Sequence, residues 1–412
     1  MLAFEKMELP NGLRVILHQD LSTPLATVNI LVGVGARDEN PDHTGFAHLF
    51  EHLMFGGTPL IPEYDAFAQS IGAENNAFTS NDFTNYYITV PAQNLESALY
   101  LEADRMREIE LSERSLDVQR KVVIEEFKQR YLNQPYGDAW LELRPLAYSN
   151  HPYRWATIGK EIEHIEKSEL KDVKHFFETF YVPQNSILSI SGNFQMDEVK
   201  TWIHRYFSFQ KPGQQNPKEY AQDHPHRSGN RKDLEQEVPQ NAFYWAFPIV
   251  GRNHPDYYAT DLISDVLGRG KSSRLKENWL KNNPLFSQIN AYVTGDEDPG
   301  LMVIQGNLLP ETTWEEAEKA IWSDLHLLCN ELISEYNLEK IKNQYQTSQA
   351  FSNIDSSSIA LNLAYFEWLG DVKLIHQEDE KYMNVSPSDI QRLAKEIFNA
   401  SSLSSIYYHS KS

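Results

Sequence analysis

The spacing of apolar residues changes period several times along the chain, and the changes outline its elements. After the Pro10-Asn-Gly turn, Leu13-Arg-Val-Ile-Leu-His18 reads as a short strand, and Ala26 to Ala36 alternates with β-branched residues as a sheet strand does. The polar stretch Asp38 to Asp42 then gives way to a helical period from Thr44 to Met54, with Thr44 as its start signal and Gly56-Gly57 as its stop. A strand is predicted over Phe83 to Val90, then an amphipathic helix over Leu95 to Ile109 and a longer one from Ser112 to Leu132. Strand Ser186 to Ser191 and helix Met196 to Tyr206 close this half.

Between 210 and 227 the chain is polar and rich in Pro, Gly and His without an apolar period, as a linker would be. Beyond it the same grammar returns: a strand from Asn241 to Phe247, a helix from Pro255 to Leu267, punctuation at Gly268 to Ser273, a further helix, and a strand from Leu301 to Gln305. The expectation is an α+β protein of two homologous halves, 1–209 and 228–412, each a mostly antiparallel sheet with helices on it, joined by the linker 210–227.

Composition narrows the function. A chain of 412 residues exceeds one ordinary core, and 41% hydrophobic with 12% aromatic residues excludes disorder. With 58 acidic against 37 basic residues the formal charge is -21, which argues against nucleic acid as the partner. Cys329 is the one cysteine, so neither an intrachain disulfide nor a cysteine zinc cluster can form, and a metal would need His and carboxylate. The start, Met1-Leu-Ala-Phe-Glu-Lys, lacks the features of a signal peptide, and no run reaches the roughly 18 apolar residues of a membrane span. A cytoplasmic protein is expected, or a periplasmic one if this is a mature form.

The informative run is His48-Leu-Phe-Glu51-His52. On a helix, residues four apart share a face, and Glu51 lies about 60° from His48 and about 100° from His52, so the three side chains can converge. Two imidazoles at that spacing suit zinc, and an unligated carboxylate beside them can take a proton from a water activated by the metal. A third protein ligand is required. The plain alternative is a surface helix that carries two His and a Glu by chance.

The flanks carry a resemblance. Gly33 to Thr58, Asn75-Asn-Ala-Phe-Thr-Ser-Asn-Asp-Phe-Thr-Asn-Tyr-Tyr87 and Arg120-Lys-Val-Val-Ile-Glu-Glu-Phe127 resemble the pitrilysin family of inverted-motif zinc peptidases, the inverzincins, and in particular its processing-peptidase-like subunits of this length. The resemblance implies that His48 and His52 bind one zinc ion per chain and that Glu51 is the general base of an endopeptidase. It implies a third ligand about 75 residues downstream, where Glu125 and Glu126 adjoin; the family pattern sets the ligand before an apolar residue, which selects Glu126 before Phe127. It also implies that Asn76, Ala77, Phe78 and Thr79 form an exposed edge to which an extended peptide adds as a strand.

Two departures from the family stand out. Gln119 occupies a position where relatives commonly have a Glu that supports the metal site. After Ser272-Ser-Arg-Leu275, Leu280 and Ser287 stand where relatives have an Arg and a Tyr that hold the substrate. The expectation is therefore a catalytic subunit that pairs with a homologous partner lacking the zinc motif, which supplies the Arg and Tyr in a closed chamber; a homodimer is the variant of that expectation. A non-catalytic scaffold subunit and a peptide-binding module are the competing readings, separable by whether zinc and Glu51 are needed for hydrolysis.

Overall fold

A computed structural model describes residues 2–213, 220, 221, 223 and 229–411. Its strands are β1 (Glu5–Glu8), β2 (Arg14–Gln19), β3 (Leu25–Val32), β4 (Glu74–Thr79), β5 (Thr84–Pro91) and β6 (Ser186–Gly192) in the first half. The second half contributes β7 (Arg231–Gln236), β8 (Ala242–Pro248), β9 (Phe286–Val293), β10 (Leu301–Leu308) and β11 (Ser404–Ser410). The six strands predicted from period are present as β2, β3, β5, β6, β8 and β10; most ends move by one residue, but β3 stops four residues before Ala36 and β10 runs three beyond Gln305, where the ladder rather than the apolar run decides the boundary.

The first sheet has the order β1-β2-β6-β3-β5-β4 and the second β7-β11-β8-β10-β9. Without β1 the two orders correspond strand for strand. In each, the opening strand pairs parallel with the last one, β2 with β6 and β7 with β11. Every other pairing is antiparallel. The two mostly antiparallel sheets with helices on them are the expected α+β halves, and their shared order agrees with a duplication.

Helices α1 (Phe46–Leu53), α2 (Tyr64–Ser70), α3 (Leu95–Arg107) and α4 (Glu113–Phe127) follow in the first half. The helix expected to run to Leu132 stops being α-helical at Phe127 and continues as a wider turn over Lys128–Leu132. Helix α3 lies against β3 and β5, and α1 against β4 and β5.

The compact units are not the contiguous stretches 1–209 and 228–412. The first contains residues 1–127, 155–220 and 349–377; the second contains 128–154, 221–348 and 378–412. Each sheet takes a helix from the other half of the sequence. Helix α5 (Ala139–Ala147) lies between β5 and β6 in the chain, yet Ala139, Leu143 and Ala147 are buried with Ala242, Ala246, Val303 and Ile406 of the second sheet. The helix Ser356–Trp368 lies between β10 and β11, yet Ile359, Leu363 and Ala364 are buried with Ile16, Leu31 and Ile187 of the first. Its start is pinned by Thr27 Oγ1 to Ser356 Oγ at 3.0 Å, and Ser189 donates to the Ala360 carbonyl at 2.6 Å. The physical reason is that a sheet flanked by helices has two apolar faces, and β3 and β6 are buried along nearly their whole length. Of the expected linker, only 210–213, 220, 221 and 223 lie within the described residues.

The exchange is expected to make each compact unit depend on both halves of the sequence. A fragment of residues 1–209 lacks Ser356–Trp368 and is expected to show no sharp urea transition; a two-state transition in that fragment would contradict the exchange. In the full chain Leu363→Ala, at a site 0% exposed, is expected to cost about 2–5 kcal/mol in the same measurement.

Candidate metal centre

Helix α1 is seated before it can present anything. Its inner face, Phe46, Ala47, Leu49, Phe50 and Leu53, is buried. Phe50 stacks on Phe176 with ring centroids 4.8 Å apart and meets Tyr181 at 5.3 Å, so the helix cannot roll about its axis. The helix is entered through Gly45, whose φ of 89° is left-handed; a Cβ there would stand 2.7 Å from the Ile158 carbonyl oxygen.

Thr44, the predicted start signal, does not cap the helix. Its hydroxyl is 2.9 Å from His164 Nδ1 and accepts the Lys160 amide at 2.8 Å. The cap is Glu39, which sequence reading missed because it lies six residues before Gly45. Its Oε2 accepts the Gly45 amide and its Oε1 the Ala47 amide, both at 2.8 Å. Burial pushes the Glu39 pKa up to about 8, against the lowering effect of the two amide donors.

With α1 fixed, His48 and His52 stand one turn apart, their ring centroids 4.9 Å from each other and nearly perpendicular. Helix α4 lies against α1 and brings Glu126 to them. Glu126 Oε2 is 3.2 Å from His52 Nε2, and Oε1 is 3.7 Å from His48 Nε2. One ligand atom from each of the three residues lies within 4.8 Å of the others, and among the described residues this is the one His, Cys and carboxylate group so arranged. Metal–ligand bonds near 2.0–2.2 Å place tetrahedral neighbours roughly 3.3 Å apart, so this donor set fits zinc without rearrangement of the backbone. The three side chains are between 12% and 23% exposed, sheltered yet reachable from solvent. Glu125, the rejected neighbour, is exposed, and Gln119 is partly buried on the same face of α4 as Glu126, seven residues earlier.

Glu51 lies in the turn between the histidines, and its Oε2 accepts a hydrogen bond from Thr79 Oγ1 at 2.6 Å. Beneath α1 is a buried polar layer that carried no obvious motif. Tyr86 and Tyr181 share a hydroxyl hydrogen bond of 2.7 Å. Arg105, fully buried, is paired with Glu102 and ringed by Phe55, Tyr64 and Tyr86 at 4.8 to 5.2 Å. Its only sequence signal was the Glu102-to-Arg105 spacing of one helical turn.

The four edge residues divide by face. β4 is the terminal strand of its sheet, paired with β5 alone. Asn76 is exposed and its Oδ1 accepts the Ala77 amide at 2.8 Å. Phe78 meets Phe83 edge-on at 5.8 Å and belongs to the cluster beneath Ser356–Trp368, so its ring anchors the strand. Thr79 points to Glu51. In the second unit Leu280 is packed against the main apolar cluster, and Ser287 donates to Gln240 Oε1 at 2.6 Å. The Tyr292 hydroxyl donates to Gln305 Oε1 at 3.1 Å.

This architecture and this cluster define a chain of the zinc-protease type. Residues 14–149 match the family described as Insulinase (Peptidase family M16), and residues 168–345 match the Peptidase M16 inactive domain. His48, Glu51, His52 and Glu126 all fall within the first match. The chain is 30% identical to the zinc protease PqqE of Helicobacter pylori over 98% of its own length and 92% of that protein's. It is 25% identical to the uncharacterized zinc protease YmxG of Bacillus subtilis over 94% of each. The crystal structure of a protease from Helicobacter pylori superposes with a TM-score of 0.94 at 27% identity, over 99% of this chain and 100% of that one. A peptidase M16 inactive domain from Pseudomonas fluorescens gives 0.89 at 17% identity over 100% and 99%, a likeness of fold alone. The chain belongs to peptidase family M16. Among the described residues no helix is long and apolar enough to cross a membrane.

The Glu39 cap has a pH signature. Below the usual carboxyl pKa of 4.5 both folded and unfolded chains hold the proton; as pH rises toward about 8 the unfolded chain releases it first, so stability falls across that interval. Calorimetry of metal-free protein is expected to show a smaller fall in Tm across the same interval for Glu39→Gln, and an unchanged fall would show that the carboxyl does not hold its proton there.

Proposed function

We propose that this chain is a zinc-dependent endopeptidase acting on peptides or unfolded segments, with one zinc held by His48, His52 and Glu126. The observation that carries the reading is the convergence of these three ligands with Glu51 on the turn between the two histidines. Zinc, when bound there, polarises the scissile carbonyl and makes an attacking water more acidic. Glu51 takes the proton of that water on its carboxylate and returns it to the leaving amine. The peptide is held as an added strand along β4, where main-chain hydrogen bonds give affinity that depends little on side chains. The Ala77 amide, which Asn76 Oδ1 accepts at 2.8 Å in the free chain, is the donor a peptide strand would take over there. Gln119 supports the Glu126 side of the cluster as a neutral hydrogen-bonding residue.

The proposal extends to a partner. Leu280 is held in an apolar cluster and Ser287 is engaged with Gln240, so neither can supply a cation or a phenol to a bound peptide. A homologous subunit without the zinc motif would bring those groups and close the chamber. The same observation favours the second reading, a non-catalytic scaffold or peptide-binding subunit, if no partner restores activity.

The test is hydrolysis of a quenched fluorescent peptide library by metal-analysed protein, alone and with its candidate partner. Glu51→Gln is expected to keep one zinc and lose at least about 100-fold in rate, the usual worth of a general base, while His48→Ala loses the zinc itself. Bound zinc with no cleavage in any mixture would overturn the peptidase reading in favour of the scaffold.

A further inference from the structure

A hydrogen bond joins the strand that receives the peptide to the helix that carries the base. Thr79 is the last residue of β4, and its hydroxyl donates to Glu51 Oε2 at 2.6 Å, a short bond to a charged acceptor. We propose that Thr79 is a positioning residue: it fixes the Glu51 carboxylate to the edge strand, so that a peptide seated on β4 and the base that serves it share one frame. The inference rests on the peptidase reading and deepens it.

Three features support it. A glutamate side chain has three rotatable bonds, and an unrestrained carboxylate samples directions useless for proton transfer, whereas a catalytic group must be held to within roughly 10–20°. Threonine is β-branched and stiff at its first torsion, so its hydroxyl direction follows the backbone of β4. That backbone is itself immobilised on both sides of Thr79: Phe78 is anchored against Phe83, and Ser80 receives a backbone bond by donating its amide to the Phe83 carbonyl at 2.9 Å. A shift of β4 is therefore transmitted to Glu51 directly. The alternation of the strand puts Phe78 and Thr79 on opposite faces, Phe78 in the apolar cluster and Thr79 on the base, while Asn76 engages the edge amide.

The experiment uses the zinc-loaded full chain, with its partner if one is needed for activity, and compares Thr79→Val, which keeps the shape and loses the hydroxyl, with Thr79→Ser, which keeps the hydroxyl. Thr79→Val is expected to lower kcat by about 10- to 100-fold, the worth of a hydrogen bond to a charged group, with KM and zinc content unchanged. Thr79→Ser is expected to restore most of the rate. A higher KM with unchanged kcat in Thr79→Val would overturn the assignment and make the hydroxyl a peptide contact. Loss of zinc or of the melting transition in Thr79→Val would also overturn it, because the hydroxyl would then support the fold rather than the base. A Ser variant no better than Val would do the same. Wild-type protein that binds zinc and cleaves nothing overturns the peptidase reading itself, and the positioning role with it, which separates that failure from the others.

Discussion

The site depends on the seating of α1. Two histidines and a glutamate within five residues are only a pattern until the helix that carries them is prevented from rotating, sliding or fraying. Rotation is blocked by Phe50 against Phe176 and Tyr181, and fraying by the Glu39 carboxyl group on the first amides. Helix α4, lying on α1, then brings Glu126 within 3.2 Å of His52. The burial of one apolar face is what gives the opposite face its geometry.

Beneath this face the protein keeps a charged group out of water. Arg105 is paired with Glu102 and surrounded by aromatic rings, an arrangement that offsets the cost of desolvating a guanidinium through a short ion pair and three ring faces. Replacement of one member of such a pair leaves the other buried and uncompensated, so the layer resists piecemeal change. It also fixes Tyr86, whose hydroxyl meets Tyr181 under the same helix. The helix that carries the histidines thus sits over a polar layer whose members are paired with one another.

The exchange of helices between halves extends this dependence along the chain. The face of the first sheet opposite α1 and α3 is covered by Ser356–Trp368, which the chain supplies only after both sheets' hairpins have been written. In the second sheet α5 does the same in reverse. A duplicated unit that kept its own covering helix would yield two autonomous domains; by trading them, the two halves become one folding problem. Phe78 shows how this reaches the site, since its ring under Ser356–Trp368 anchors the strand whose next residue is hydrogen-bonded to Glu51.

Much of this was legible in the order of residues, and the remainder divides by a physical rule. Period and punctuation marked six of the eleven strands, α1 and the two-half organisation, because those depend on which neighbours along the chain are apolar. The i, i+4 histidines were legible for the same reason: a helix makes their proximity a local fact. Glu126 was reachable only through resemblance, since bringing α4 onto α1 requires contacts more than seventy residues apart. Glu39 as the cap in place of Thr44, Arg105 under the site, Phe78 as an anchor and the traded helices were not legible at all. Apart from Glu39, which reaches the helix from a loop six residues before Gly45, each is a contact between segments distant in sequence, and all were chosen by which buried group needed a partner or which apolar face needed a cover. The sequence by itself determined the donor types and their local spacing; only the tertiary structure decided which of them meet, because convergence is a property of packing and not of order along the chain.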